Sequence, residues 1–186
     1  MSYRPYKIPI LPYKYMTILL LATVHSVSCG TNDSHSSNSA TAPHHCGPTT
    51  GTVTKVYDGD TIEISAEVET ETTIETKTFK IRYLHVDSPE IAHNESERDH
   101  CFAQEAFRYN EYLVSNKEVS LEYDQSCYDT YHRLLAFVSV DDQVVNQLLL
   151  SRGYAKLLII EPNTKHRDTY EKLQLNAQNS NAGLWG

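Results

Sequence analysis

The order of short β segments and helical segments limits the fold of this chain more than any other sequence feature. Alternation with a period of two, or β-prone composition, marks five strands, and apolar residues at helical spacing mark three helices. The sequence contains no internal repeat and no sign of a second domain. The predicted order β-β-β-α-β-β-α-α therefore indicates a single α+β domain. The strands are expected at 52–56, 61–64, 79–86, 118–123 and 134–140, and the first helix at 102–115.

Turn and capping residues define the expected boundaries of these elements. The stretch 67–78, rich in Glu and Thr, is expected to form a polar hairpin connection, and Pro89 is expected to stop the third strand. Asp142 is expected to cap the second helix and Gly153 to close it. Thr164 is expected to cap the third helix.

The first 28 residues are expected to be a signal peptide. Three basic side chains precede a short apolar run at 17–24, and small residues at 26–28 stand where a signal peptidase cleaves. The run is shorter than the roughly 20 residues that a membrane-spanning helix needs. Cys29 follows directly, as at a bacterial lipoprotein processing site. Free secretion and attachment to the cell envelope through a lipidated Cys29 both stay open.

Residues 29–50 are expected to form a flexible polar tether, and residues 51–186 the folded domain. The tether is rich in Ser, Thr, Asn and His and poor in large apolar side chains. Its histidines and Cys46 match no zinc-ligand spacing, so a solvated linker is the preferred interpretation.

The net charge argues against tight, purely electrostatic binding to nucleic acid. The formal net charge is −8. The first 29 residues carry three basic side chains and no acidic one, so the remainder carries −11. Neutralising phosphates requires Lys and Arg side chains. Any phosphate binding by this chain is therefore expected to depend on a few local cations and a metal ion.

Three short segments, 58–61, 82–90 and 129–133, concentrate polar residues at strand ends or turns. A strand end on a rigid scaffold can present its side chains to a ligand. Any one segment alone is more simply interpreted as a turn or a surface ion pair. Together the three combine carboxylates with guanidinium groups, which suggests a site that acts on phosphate.

The residue types in these segments suit hydrolysis of a phosphodiester bond. Asp60 and Asp87 supply hard oxygen ligands for Ca²⁺ or Mg²⁺. Arg82 and Arg133 can bind a phosphate and stabilise the charge that develops on its oxygens. Glu90 can accept a proton from water. Arg82 and Asp87 would face opposite sides of a regular strand, so they converge only if the strand bends or ends near Asp87.

With these motifs in this order, the chain resembles the thermonuclease, or staphylococcal nuclease, family across residues 51–186. This resemblance implies an OB-fold, a five-stranded β-barrel with three α-helices, which agrees with the order of elements predicted above. It rests on Asp58-Gly59-Asp60-Thr61, on Arg82 with Asp87-Ser88-Pro89-Glu90 at fixed spacing, on Tyr131-x-Arg133-x-Leu135-Ala136, on Val145-Asn146 and on Gly153-Tyr154-Ala155-Lys156.

The resemblance also implies a metal ion, a reaction and a set of partners. In this chain the side chains of Asp60 and Asp87 and the main-chain carbonyl of Ser88 would hold Ca²⁺. The substrates would be DNA and RNA, and the products would end in 3′-phosphates. The expected oligomeric state is a monomer.

The roles of the remaining site residues follow from the same resemblance. Glu90 would activate or orient the attacking water. Arg82 and Arg133 would contact the scissile phosphate. Tyr131 would contact a substrate phosphate or pack beside it.

The chain departs from the family pattern at four places. Ser88 replaces a Thr, which matters little for a main-chain ligand. His132 replaces a Gly before the second arginine and is expected to affect how that loop bends. Thr130 replaces a phosphate-binding Lys. The stretch 159–161 replaces two tyrosines near the nucleotide base, and loss of that stacking would weaken substrate binding.

Two other function classes compete with a nuclease. The first is a catalytically silent OB-fold module that binds nucleic acid or protein, and the second is a calcium-binding envelope protein without hydrolytic activity. A silent module typically lacks the arginines or the acidic ligands, and a calcium-binding protein leaves both arginines without a role. The presence of both residue types favours the enzyme.

The cysteines are expected to form one disulfide in an exported protein. Cys29 lies at the processing site and Cys46 in the predicted tether. Cys101 and Cys127 remain in loops expected to flank the same cleft, so a Cys101–Cys127 bridge is predicted. Two free thiols are the alternative.

Overall fold

The structure, a computed structural model, describes residues 46–92 and 98–186. The predicted signal peptide, the lipidation site at Cys29 and most of the predicted tether lie outside the described residues. Within the described residues, no helix is both long and apolar enough to cross a membrane.

The described residues form eight strands, three α-helices and a final 3₁₀ turn. They are β1 (Thr50–Val56), β2 (Thr61–Glu69), β3 (Ile74–Tyr83), β4 (His85–Asp87), α1 (Ala103–Val114), β5 (Glu118–Glu122), β6 (Leu134–Val140), β7 (Gln143–Val144), α2 (Val145–Ser151), β8 (Lys156–Leu158) and α3 (Arg167–Asn179), followed by the 3₁₀ turn at Gly183–Trp185.

Five of the strands close into a barrel. Strands β1, β2 and β3 form an antiparallel meander, β1 also pairs with β5, and β5 pairs with β6. A parallel pairing of β3 with β6 closes the barrel. With its three α-helices, this arrangement confirms the predicted OB-fold class.

The barrel interior is filled by alternate side chains of its strands. Ile62 and Ile64 of β2 and Ile81 of β3 are fully buried, as is Val138 of β6. Helix α1 buries small side chains, including Ala106, which lets it approach the barrel closely. These alternating apolar positions are what made the strands recognisable in the sequence.

The hairpin between β2 and β3 is longer than predicted. The two strands stay in register from the Thr61–Arg82 pair out to the Glu69–Ile74 pair. Only residues 70–73 form the turn, where the Thr70 hydroxyl donates to the Thr73 carbonyl oxygen over 2.8 Å. The stretch 67–78 is therefore a polar hairpin, as predicted, but all of it except residues 70–73 belongs to the paired strands. Both faces of the outer hairpin are exposed, so no apolar alternation marks it, while Thr and Glu still pair along the ladder.

The predicted helix caps were wrong at two of three positions. Asp142, at a φ of 62°, lies in the turn that joins β6 to β7. The N-cap residue of α3 is His166, and Thr164 lies in the turn before it. Gly153 does end α2, at a φ of 71° that glycine adopts without strain.

The predicted Cys101–Cys127 disulfide was also wrong. The structure pairs Cys46 with Cys127, and Cys101 is exposed with no partner among the described residues. Cys46 belongs to the folded domain, because the segment it begins packs against β5 and β6. The Tyr123 hydroxyl donates to the Pro48 carbonyl, and the Leu121 N–H donates to the Thr49 carbonyl over 2.8 Å. Polar composition alone had assigned this segment to the tether.

Candidate active site

A break between β3 and β4 brings two predicted site residues together. His85 has a φ of 64°, so the chain turns out of β3, and β4 pairs with β8 outside the barrel. The buried Asn146 fixes the turn by donating its amide N–H to the Leu84 carbonyl over 2.8 Å. Beyond the turn, Arg82 Nη2 lies 3.0 Å from Asp87 Oδ1. The bend that this convergence required is therefore present.

A tight turn after β1 delivers Asp60 to the same place. The turn is closed by the Asp60 N–H donating to Asp58 Oδ1 over 2.9 Å. Asp60 is only 1% exposed. Its Oδ1 lies 3.2 Å from Arg82 Nε, and its Oδ2 accepts the Ser88 N–H over 2.6 Å. Arg82 thus joins Asp60 and Asp87 through one guanidinium group.

Close packing holds this turn in position. A Cβ atom on Gly59 would lie 2.6 Å from the Ser88 Cβ and 2.9 Å from the Ala106 Cβ, so a side chain there would force the Ser88 segment or α1 to move. Asn110 of α1 donates to the Asp58 carbonyl and accepts from the Tyr83 hydroxyl. The turn, β3 and α1 are thereby linked through one buried amide.

Burial determines the electrostatics of Asp60. Desolvation raises the pKa of its carboxyl to about 7, and the neighbouring Asp58 adds to the increase. The positive charge of Arg82 and the Ser88 hydrogen bonds lower it only in part. A second cation beside Asp60 would stabilise its ionised form.

The donor set at this point fits a hard divalent cation. Asp60 and Asp87 offer carboxylate oxygens held by the same arginine, and Asp87 is half-exposed, which leaves positions open to water or substrate. No cluster of three or more His, Cys, Asp or Glu side chains suited to a metal occurs in the described part of the chain. The expected third ligand, the main-chain carbonyl of Ser88, belongs to the segment whose N–H donates to Asp60.

The second arginine stands on a separate loop between β5 and β6. Arg133 Nε donates to Asp129 Oδ2 over 2.6 Å, and Asp129 Oδ1 accepts the main-chain N–H groups of Tyr131 and Arg133. His132 has a φ of 61°, so the loop keeps the left-handed bend that a glycine would give. Burial of Asp129 raises the pKa of its carboxyl, but the hydrogen bonds and charge of Arg133 outweigh burial and leave the pKa lowered.

Two depressions meet at Arg133 and Tyr131. The first, called the cleft here, has a volume of about 350 Å³ and is largely apolar. The second, called the groove, has a volume of about 640 Å³, and charged side chains line it beside apolar ones. Glu90 is exposed and lies on the groove, whereas Arg82 lies on the cleft. The cleft lining includes Arg82, Tyr128, Tyr131, Arg133, Leu158 and Ile160, and the groove lining includes Lys80, Glu90, Arg98, His100, Tyr131 and Arg133.

Of the stretch 159–161, which was expected near the base, one residue does not line the cleft. Ile160, 64% exposed, lines the cleft, whereas the adjacent Ile159 does not. Tyr131 is 79% exposed and lies beside Arg133, whose Cζ is 5.4 Å from its ring centroid. The apolar rim is therefore supplied by tyrosines on the Arg133 loop and by aliphatic residues after β8.

Sequence reasoning missed three residues that position the site. Asp129 orients Arg133, although its segment was recognised without a role for it. Asn110 lies four residues after Ala106, on the apolar face of α1, and a polar residue on that face was a usable signal. Asn163 exchanges two hydrogen bonds with the main chain of Ser126, and nothing in the sequence indicates that long-range pair.

Comparisons with known proteins identify the family of this chain. The profile of the family described as "Staphylococcal nuclease homologue" matches residues 80–186. The chain is 32% identical over 139 residues to the SPbeta prophage-derived endonuclease YokF and to endonuclease YncB, both of Bacillus subtilis (strain 168). These matches cover 72% of this chain and 43% and 60% of the two proteins, so the chain spans about half the length of these relatives. A thermonuclease of Staphylococcus intermedius is 31% identical over 133 residues, covering 72% of this chain and 74% of that protein.

Proposed function

Because this chain belongs to the staphylococcal nuclease family, we propose that it is a calcium-dependent nuclease. It hydrolyses phosphodiester bonds of DNA and RNA and leaves 3′-phosphate ends. The observation that carries the proposal is the junction at Arg82, which joins the buried Asp60 to Asp87 while Arg133 stands on the adjoining loop. Both arginines line one cleft, which suits a phosphodiester, and the two carboxylates that Arg82 joins suit a hard cation.

Calcium would be held by the side chains of Asp60 and Asp87 and by the carbonyl of Ser88. When bound, the ion supplies positive charge that offsets the charge on the phosphate and on Asp60. The protein's contribution is to hold the ligands in place before the ion arrives. Arg82 bridges the two carboxylates, and the Ser88 N–H orients Asp60.

Arg133 is the better-placed phosphate ligand of the two arginines. Its Nε is held by Asp129, and its two terminal amino groups have no protein acceptor within the described residues. A guanidinium group fixed at one end presents these donors as a fork that matches two phosphate oxygens. Arg133 therefore binds the scissile phosphate and stabilises the charge that develops on it.

Glu90 serves the attacking water. Its carboxylate is exposed on the groove, on the other side of Arg133 from the cleft. From there Glu90 accepts a proton from water, or orients that water, while Arg133 holds the phosphate. In-line attack by this water forms a new P–O bond while the bond to the 5′-oxygen breaks. The 5′-oxygen takes a proton from solvent, and the phosphate stays on the 3′-oxygen.

Tyr131 and the cleft bind the nucleoside that leaves. Tyr131 is exposed beside Arg133, where its ring and hydroxyl can contact the sugar and phosphate. The apolar rim of the cleft suits the face of a base. Because contacts of this kind do not read base edges, cleavage is expected to have little sequence preference.

The protein works outside the cytoplasm. The predicted signal peptide at residues 1–28 supports this location, and the disulfide between Cys46 and Cys127 is of the kind that persists in oxidising compartments. Release and attachment through a lipidated Cys29 remain the two alternatives. The enzyme acts as a monomer.

A cleavage assay with defined metal tests the proposal. The purified mature protein is incubated with fluorescent single-stranded DNA or RNA, either in millimolar Ca²⁺ or after exhaustive treatment with a chelator. We expect cleavage of both polymers with Ca²⁺ only, and mass spectrometry of the products should show 3′-phosphates. Full activity without divalent metal would contradict the metal dependence. Binding without cleavage would indicate a silent module, and calcium binding without nucleic-acid binding would indicate the envelope-protein alternative.

A further inference from the structure

The groove beside Arg133 carries positive charge on an otherwise acidic protein. Among its described lining residues, Lys80, Arg98 and Arg133 are cations, and Glu90 is the one carboxylate. The whole chain carries a net charge of −8. Three cations around one depression therefore oppose the general charge of the surface, and their local field attracts anions to this place.

The cations continue away from the groove along the barrel surface. Lys80 of β3 places its Nζ 3.9 Å from the centroid of the Tyr57 ring, and Lys55 places its Nζ 4.3 Å from the same centroid. The Tyr57 hydroxyl donates to Glu63, which fixes the ring on the sheet. One ring thus orients two ammonium groups, which limits the freedom of Lys80 before any ligand binds.

The far rim of the groove is tied to Glu90. The His100 N–H donates to the Glu90 carbonyl over 3.0 Å, so the chain returns to Glu90 two residues after Arg98. The groove therefore has Lys80, on the barrel, and Arg98, on the returning chain, among its walls, with Arg133 shared with the cleft.

We propose that the groove is a second substrate subsite, which binds backbone phosphates of the strand on the opposite side of the scissile bond from the cleft. This inference rests on the proposed nuclease function. A strand held at Arg133, with its leaving nucleoside in the cleft, continues past Glu90 into the groove. Lys80 and Arg98 then bind the next phosphates along the strand.

The chemistry of the groove favours backbone phosphate over base. Apart from His100 and the shared Tyr131, its described lining residues offer no aromatic face. Lysine and arginine side chains recognise phosphates without reading the base sequence. The cleft and the groove therefore bind different parts of the substrate. The apolar cleft receives a base, and the charged groove receives the sugar-phosphate chain.

Comparing a short substrate with a long one distinguishes binding in the groove from the cleavage step. A dinucleotide has one phosphodiester bond and does not extend far into the groove, whereas a 20-nucleotide oligothymidylate fills it. We expect Lys80→Ala and Arg98→Ala each to lower the ratio of kcat/KM for the 20-mer to kcat/KM for the dinucleotide about tenfold at low salt. The slope of log kcat/KM for the 20-mer against log salt concentration should become shallower by about 0.7 for each cation removed.

Lys77→Ala is the matched control. Lys77 also lies on β3, is exposed, pairs with Glu75 and does not line the groove, so its removal should leave both the ratio and the slope at their wild-type values. If Lys80→Ala and Arg98→Ala resemble Lys77→Ala in both measurements, the subsite proposal is wrong while the nuclease proposal stands.

Binding without catalysis gives an independent readout. Fluorescence anisotropy of a labelled 20-mer, measured in chelator so that no cleavage occurs, should show about a tenfold weaker Kd for the charge reversal Lys80→Glu than for Lys77→Glu. A wild-type protein that cleaves nothing would overturn the nuclease function, and this binding comparison would still decide whether the groove holds the strand. Equal Kd values for the two reversals would overturn the subsite.

Discussion

The two arginines of the site are held in opposite ways. Arg82 is 11% exposed and its donors are almost fully engaged, with Asp60, Asp87 and the carbonyls of Tyr83 and Val86 as acceptors. Arg133 is 24% exposed and is held at Nε by Asp129 alone. The guanidinium group of Arg82 is therefore held by protein acceptors on several sides, whereas that of Arg133 is held at Nε and its terminal amino groups can bind a ligand.

The two arginines therefore have different roles in the site. Arg82 gathers two carboxylates that would otherwise repel each other, so its first role is to organise the cation site. Arg133 has unfilled donors and borders both depressions, so its first role is to bind phosphate. The carboxyl groups beside them also respond in opposite directions, because burial raises the pKa of Asp60 whereas Arg133 lowers the pKa of Asp129.

The largest expected effects come from removing each arginine. Arg133→Ala should lower kcat/KM by about 10³-fold or more, as expected for a group that stabilises charge on a transferring phosphoryl centre. Arg82→Ala should lower it by a similar factor, because the two carboxylates of the cation site lose the group that holds them. Their stabilities should differ. Arg82→Ala leaves the buried Asp60 without its partner, which costs about 3–5 kcal/mol, or a fall in Tm on the order of 10 °C. Arg133→Ala should change Tm by only a few degrees.

Steady-state kinetics with Ca²⁺ measure the expected loss of kcat/KM in both variants. Thermal unfolding without Ca²⁺ measures the expected difference in Tm between them. Arg108→Ala, on the exposed side of α1, serves as the control and should alter neither quantity. If Arg82→Ala were as stable as Arg133→Ala, the organising role assigned to Arg82 would be wrong.

The disulfide ties the loop that carries Arg133 to the N-terminal end of the described domain. It joins Cys46 to Cys127, across 81 residues, two positions before Asp129. By the loop-closure estimate, such a bridge stabilises the fold by up to about 4.5 kcal/mol. Cys46→Ser should lower the free energy of unfolding by several kcal/mol in urea titrations, whereas Cys101→Ser should not change it. A reductant should abolish the difference between wild type and Cys46→Ser, and a difference that persists would argue against this pairing.

The third prediction concerns stability against pH in the absence of metal. Asp60 has a folded-state pKa of about 7 against 3.8 in the unfolded chain, so the folded protein holds an extra proton between these values. Its contribution is present below pH 4 and lost as the pH rises to 7, on the order of 4 kcal/mol at most. Asp129 has a lowered pKa, so its contribution is present above pH 4 and lost in acid.

Urea unfolding from pH 3 to pH 8 in chelator measures both contributions. Asp60→Asn should flatten the decline between pH 4 and pH 7, and Asp129→Asn should flatten the loss below pH 4. Identical pH profiles for the two variants would contradict the opposite pKa shifts of Asp60 and Asp129.

Local patterns predicted the barrel and the residue types of the site, whereas long-range packing decided what they missed. Strands and the first helix followed from apolar periodicity, and the three polar segments followed from their positions at strand ends. The convergence of Arg82 with Asp87 depends on the turn at His85, and this turn depends on Asn146, which lies 61 residues further along the chain. A period-two pattern alone cannot show where a strand leaves its sheet.

The errors have the same origin. The pairing of Cys46 depended on whether its polar segment packs on β5, which composition does not reveal. Asp is a residue type that often caps helices, but Asp142 lies in a hairpin turn with a positive φ, where Asp is also common. His132 adopts a φ of 61°, a left-handed bend that is typical of glycine, so a non-glycine residue at this position still gives the Arg133 loop a left-handed bend.

The smallest expected effect concerns the cleft walls. Tyr128 lies on the wall that includes the Arg133 loop, whereas the opposite wall, after β8, ends in the exposed Ile160. A base between them can stack on one aromatic wall only, and each stacking contact is worth about 1–3 kcal/mol. Ile160→Tyr should therefore lower the inhibition constant of thymidine bisphosphate by about tenfold with little change in kcat, as measured by competitive inhibition of 20-mer cleavage. Ile159→Tyr, one residue away and off the cleft, and Leu175→Tyr, exposed on α3, are the controls and should leave the constant within about twofold. If Ile159→Tyr tightens the inhibitor and Ile160→Tyr does not, the base lies against a different wall.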